Sequence, residues 1–82
     1  MNARLGFVGI ILEDRKKSAA AVNKMLSEFG EKIVARMGLP HVHGDHAVIT
    51  LIVDATTDEI GSLTGRLGAL PGVSVKSACA KV

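Results

Sequence analysis

The chain has no tryptophan, no tyrosine and only two phenylalanines, Phe7 and Phe29. That scarcity removes the stacking platform on which single-stranded nucleic-acid readers depend. A single cysteine, Cys79, leaves no disulfide framework and no cysteine-based zinc module, and it suits a reducing cytoplasm. Charge of one sign is also missing. Ten Lys and Arg stand against eight Asp and Glu, and a net +2 is too balanced to indicate nucleic acid. The longest apolar stretches, Gly6 to Leu12 and Ala47 to Val53, fall far short of the roughly 20 residues of a membrane-spanning helix, so no membrane partner is expected. The first of them follows Arg4 as in a secretory signal, but Glu13-Asp14-Arg15-Lys16-Lys17 stands where a small-residue cleavage site belongs. That segment therefore reads as a strand.

What the chain has instead is aliphatic bulk. It is 48% hydrophobic with a mean hydropathy of +0.33, carried by Ala, Val, Ile and Leu. Its 82 residues and 8.6 kDa hold one domain, residues 1–82, with no room for a second core. Area scaling gives a folded surface of roughly 4,700 Å² against about 12,500 Å² unfolded, so only about 60% is hidden on folding. A lone copy cannot bury that much aliphatic surface, and the excess predicts self-association.

Leu5 to Glu13 is β-branched, short and bounded by a charged turn, the pattern of a strand. Asp14 can cap a helix with apolar positions Ala19, Val22, Met25, Leu26 and Phe29, and Gly30 is its expected stop. Lys32 to Gly38 reads as a second strand ended by Leu39-Pro40, His41 to Asp45 as a short connection, and Ala47 to Asp54 as a third strand. Thr56 and Glu59 make a capping box. Ile60, Leu63, Leu67 and Leu70 then repeat at helical spacing until Leu70-Pro71-Gly72, and Val73 to Ala80 is the last strand.

The order β-α-β-β-α-β with right-handed crossovers predicts an α+β, ferredoxin-like domain: a four-stranded antiparallel sheet in the order 4-1-3-2, with two helices on one face. Strands 1 and 3 are apolar on both faces, as central strands are. Strands 2 and 4 carry Lys32, Arg36, Lys76 and Lys81, the charges of edges. Two helices cover one face only. The other face exposes alternate residues of strands 1 and 3, either Val8, Ile10 and Leu12 or their odd-numbered neighbours. A homodimer or tetramer that packs sheet faces or strand edges together is therefore expected.

The densest chemistry lies in His41-Val42-His43-Gly44-Asp45-His46. In an extended segment His41 and His43 project to one side, a spacing at which two imidazoles share a divalent transition metal such as nickel or zinc, with His46 or Asp45 as a third ligand. A solvated hairpin that merely contains three histidines is the plainer reading, and a neighbouring chain could complete the shell. Arg15-Lys16-Lys17 opposes the dipole at the start of the first helix and reads as a solvated face, with an anion site as the alternative. Gly61, Gly65 and Gly68 recur down the second helix, each costing about 1 kcal/mol relative to Ala, and are expected to let its backbone approach the sheet or the other helix. Gly6 and Gly9 point to close contact or a bulge in strand 1. Cys79 is expected to be buried among small residues. No nucleophile–base–acid set surrounds Ser18, Ser27, Ser62 or Thr64, so the chain is not expected to be an enzyme.

Segments spread over the whole chain resemble the iron-only hydrogenase system regulator family. They are Val8-Gly9-Ile10-Ile11-Leu12-Glu13-Asp14-Arg15, Val22-Asn23-Lys24-Met25-Leu26, the run from Ile33 to Pro40, the run from Ile60 to Gly68, and Gly72-Val73-Ser74-Val75-Lys76. The glycine-rich second helix followed by Gly-Val-x-Val-Lys carries the resemblance most specifically. That family is similar in fold to ACT domains and to the C-terminal regulatory domain of the nickel-responsive repressor. The resemblance implies a ferredoxin-like oligomer with a non-enzymatic regulatory or ligand-sensing role, acting through a regulatory partner protein. His41-Val42-His43 is similar to that repressor's nickel-binding strand, although strand 3 has no match for its cysteine ligand. The repressor reads DNA through an N-terminal ribbon-helix-helix, whereas strand 1 here begins within four residues of Met1, so direct DNA binding is not expected. ACT domains bind amino acids beside a glycine after strand 1; this chain has Glu13-Asp14-Arg15 there.

Overall fold

The computed structural model describes residues 2–81; Met1 and Val82, the ends of the expected 1–82 unit, lie outside the described residues. The chain runs β1 (Arg4–Leu12), α1 (Arg15–Glu28), a 3-10 turn (Gly30–Lys32), β2 (Ile33–Val42), β3 (His46–Ala55), α2 (Thr57–Gly68) and β4 (Val73–Cys79). The strands form one sheet in the order β2-β3-β1-β4, every neighbouring pair antiparallel. This is the ferredoxin-like βαββαβ arrangement, with the expected strand order.

Each helix starts where its sequence supplies an acceptor for orphan backbone donors. The Asp14 carboxylate accepts from Lys16 N at 3.1 Å. At α2 the box is reciprocal: Glu59 N donates to Thr56 Oγ1 at 3.1 Å, and Thr56 N donates to Glu59 Oε1 at 2.8 Å. That backbone hydrogen bond, with Lys32 3.4 Å away, holds the Glu59 carboxyl below its usual 4.5. Arg66 does the same for Glu28 by a 2.9 Å ion-paired hydrogen bond that ties α2 to α1.

The register decides which side chains meet the helices. Val8 pairs with Leu51, Ile10 with Ile49 and Leu12 with Ala47, all on the covered face. With Val22 and Leu26 of α1 and Ile60, Leu63 and Leu67 of α2 they form the core. Gly6 is a close-approach position as expected: a Cβ there would stand 2.8 Å from the Ala78 carbonyl oxygen, where β1 meets β4. At Gly9 the nearest atom would be 3.9 Å away, an ordinary contact, so the glycine is not required by space.

Several expectations are corrected. Strand β2 does not stop at Leu39-Pro40 but continues to Val42, because it is an edge strand and a missing N–H there costs no ladder bond. Lys32 lies in the 3-10 turn and Lys81 beyond β4, leaving Arg36 and Lys76 as the edge charges. Phe29 caps α1 through its own N–H to Met25 O, and Gly30 opens the 3-10 turn instead of ending the helix. Gly61, Gly65 and Gly68 are exposed, with no atom within 4 Å of a Cβ at any of them. They lie off the buried stripe of Ile60, Leu63 and Leu67, so they bring no backbone close. Cys79 is exposed, since β4 is an edge that leaves helical cover after its first residues.

Candidate functional site: the open sheet face and the histidine hairpin

The face away from the helices is built from three rows that cross all four strands. One row runs Ala78, Phe7, Ile52, Ala35; the next Lys76, Gly9, Thr50, Met37; the third Ser74, Ile11, Val48, Leu39. Its large side chains stand in solvent: Phe7 is 51% exposed, Ile11 45%, Met37 63%, Leu39 52%, and Leu5 at the end of β1 60%. The odd-numbered residues of β1 are therefore the uncovered set, and Val8, Ile10 and Leu12 are the covered one. Met37 and Leu39 extend the patch onto β2, a contribution the sequence reading missed. The alternation of Ala35, Met37 and Leu39 was the signal for it.

The three histidines cluster at the far end of the β2–β3 arm. His41 (φ 59°) and His43 (φ 53°) both adopt the left-handed region, and a bulge lies between Leu39 and Val42. The simple extended alternation of His41 and His43 is thus replaced by a bulge and a tight turn over His43-Gly44-Asp45. The structure brings His43 and His46 together, ring centroids 5.7 Å apart and 69° between planes. His46 Nδ1 lies 3.1 Å from the His43 carbonyl oxygen. A carbonyl only accepts, so Nδ1 is the donor, and in the neutral ring that leaves the lone pair on Nε2. Among the described residues no group of three or more His, Cys, Asp or Glu side chains is arranged to hold a metal ion.

A third feature is the crease where the start of α1 meets the loop before β4. Glu13 N donates to Gly72 O at 2.8 Å and the buried Ser18 hydroxyl to Pro71 O at 3.3 Å. The cavity beside them measures about 410 Å³ and includes Asp14 and Lys17. It lies directly after β1, between the start of α1 and the loop before β4. No helix among the described residues is long and apolar enough to cross a membrane.

Comparison with known proteins places this geometry. Residues 4–77 match the family described as "TM1266-like: Iron-only hydrogenase system regulator, putative". The solved structure of the uncharacterized protein TM1266 from Thermotoga maritima is 38% identical, covers 96% of this chain and 99% of its own, and superposes with a TM-score of 0.90. The ACT domain of GTP pyrophosphokinase from Chlorobium tepidum shares the fold at 20% identity and a TM-score of 0.75, over 95% of this chain and 89% of its own. So does the C-terminal domain of the MgtC protein from Mycobacterium tuberculosis, at 16% identity and 0.75, over 98% and 90%. No curated protein sequence matches the chain. A family match over nearly the whole length, and a relative of the same size with the same fold, show that the chain belongs to the TM1266-like family of iron-only hydrogenase system regulators.

Proposed function

We propose that the chain is a non-enzymatic regulatory module that works as a homodimer, or as a pair of dimers, closed over the open face of its sheet, and that it acts through a partner protein. The observation that carries this reading is the exposed apolar surface of Leu5, Phe7, Ile11, Met37 and Leu39 on that face. A nine-residue strand spans roughly 30 Å and four strands about 19 Å, so the face projects about 570 Å² before its corrugation is counted. A stable interface removes about 800 Å² per partner, which is the right order. The alternation of bulk along β1 also supports a second copy as the cover. The Phe7 and Ile11 rows flank the row that holds Gly9, and in a two-fold pairing the ridges of one copy meet the dip of the other. Membership in a regulator family and likeness to ACT domains in fold support the regulatory part of the reading.

Sedimentation velocity at micromolar concentration tests it. The expected species have two or four times the 8.6 kDa mass, and Phe7→Glu should release folded monomer with an unchanged circular dichroism spectrum. A clean monomer for the native chain would sink the reading.

Metal sensing is the second reading, supported by the His43–His46 pair and the free Nε2 of His46. Two imidazoles make half a tetrahedral shell, so His41 or another copy would supply the rest. Native mass spectrometry of untagged protein with nickel or zinc should show a retained ion that His43→Ala removes. No retained ion at stoichiometric metal would end this reading.

A further inference from the structure

The covered side of the sheet is not fully closed. Helix α1 and the edge strand β2 leave a groove of about 190 Å³ between them. Its lining is apolar, from the buried Leu12 and Ile49 to the more exposed Ala19 and Pro40, except for the polar side chains of Arg15, Asn23 and Arg36. Among the described residues no acidic side chain lines it. The two ion pairs among the described residues, Lys32–Glu59 and Arg66–Glu28, engage neither arginine. Arg36 Nη2 donates to Asn23 Oδ1 at 2.7 Å, which anchors the guanidinium across the gap from strand to helix. One donor is spent there and four others are left for a ligand.

The end of α1 is not itself the attraction, because its first amides are taken. Arg15 N donates to Asp45 O at 2.9 Å, Lys16 N to the Asp14 carboxylate, and Lys17 N and Ser18 N to Asp14 O. What distinguishes the groove is two cations from separate elements facing an apolar concavity with no counter-charge. Guanidinium groups match carboxylate and phosphate oxygens in fork geometry, and they bind them more tightly where water is partly excluded.

We propose that this groove binds a small oxyanion carried on a short apolar body, a carboxylate or phosphate whose charge Arg15 and Arg36 hold while the apolar lining around Ala19 and Pro40 receives the alkyl part. At about 30 Å³ per water the volume equals roughly six waters, so the enclosed part of the ligand has about six or seven non-hydrogen atoms. The site would give the regulatory module proposed above an effector to respond to, and it rests on that reading only there. Binding and sedimentation are separate measurements, so either idea can fail without the other.

Amide chemical shifts of the full chain, titrated with four probes, test the proposal. Isovalerate and isobutyl phosphate carry both features, isovaleramide lacks the charge, and inorganic phosphate lacks the apolar body. At least one of the first two should saturate with shifts confined to the segments around Arg15, Ala19, Arg36 and Ile49. It should bind at least tenfold tighter than both controls, and which of the two it is separates a carboxylate ligand from a phosphate. Arg36→Gln should weaken that binding tenfold or more. Gly38→Val should abolish it with both arginines intact. A Cβ at Gly38 meets nothing closer than Ile49 Cγ1 at 4.0 Å, so a valine side chain has room to enter, and Val suits a strand. Lys24→Gln, the same charge change at an exposed position of α1 that lines no cavity, should leave affinity unchanged. The proposal is overturned if no probe saturates, if a control binds as well, if the shifts lie elsewhere, or if Lys24→Gln matches Arg36→Gln.

Discussion

Leu51 and Ile52 are neighbours on one strand with side chains of one composition, yet Leu51 is fully buried and Ile52 is 38% exposed. The same split runs along β1, where Val8, Ile10 and Leu12 are sealed while Phe7 and Ile11 stand half in water. The strands themselves separate the two faces only in part: the covered parity of β3 is wholly aliphatic, while its open parity mixes Val48 and Ile52 with His46, Thr50 and Asp54. The helices make the difference: right-handed crossovers put α1 and α2 on one side, and their apolar stripes seal the residues they meet. The opposite face keeps the hydrophobicity of a core without a cover. A strand apolar on both sides therefore carries two instructions, one answered within the chain and one addressed to another surface.

The sharpest way to break that comparison is to truncate the two neighbours in turn. Leu51→Ala removes a side chain packed from all sides and should cost about 2–5 kcal/mol, lowering Tm by more than about 10 °C for a domain of this size. Ile52→Ala should cost well under half as much in the unfolding of the monomer, while weakening self-association in a dilution series. Equal losses in thermal unfolding would mean that the two faces are equally packed within one chain, and the comparison would fall.

A smaller effect is expected where β1 meets β4. Gly6→Ala places a methyl 2.8 Å from the Ala78 carbonyl oxygen, and the obstacle is backbone that cannot swing aside. Overpacking of this kind costs about 1–3 kcal/mol. Gly9→Ala, three residues along the same strand, meets only an ordinary contact at 3.9 Å and should be near neutral in the monomer. Paired thermal melts would settle it, and a neutral Gly6→Ala would show that β4 yields and is not held against β1.

Much of this was readable in the residues, for physical reasons that differ by element. Asp14 and the Thr56–Glu59 box fix helix starts through local hydrogen bonds, so spacing alone exposed them. The alternation of strand 1 left open which parity the helices would take, whereas in strand 3 the shared parity of Thr50 and Asp54 was a signal for the open face, carried to strand 1 only by the register between them. Pro40 read as a terminator; it is tolerated because β2 turned out to have a free edge there. The glycines of α2 and the exposure of Cys79 were misread because each depends on what lies beside the element. The histidines were recognised, but the left-handed backbone at His41 and His43 was not. Arg15 and Arg36 lie far apart in sequence, and only the passage of α1 beside β2 brings them to one groove.

The smallest effects lie at the ends of the helices that roof the covered face. Thr56→Ala removes the hydroxyl that receives Glu59 N and should cost about 1 kcal/mol. Glu59 contributes differently, because its carboxyl is held below its usual 4.5 first by the Thr56 N–H and then by Lys32. A depressed acid contributes stability that is present above the unfolded value and is lost as pH falls through the folded one. Glu28, lowered by Arg66, acts in the same window below pH 4.5. Glu59→Gln keeps a side-chain oxygen for Thr56 N and loses the charge, so it should be slightly less stable than the native chain near neutrality and converge with it as pH falls below 4.5, a shallower acid loss. Urea midpoints at neutral pH and below pH 4.5 measure this. An unchanged acid slope would assign the sensitivity to Glu28 and Arg66, and the lock on the covered face would lie between the two helices, not at the start of α2.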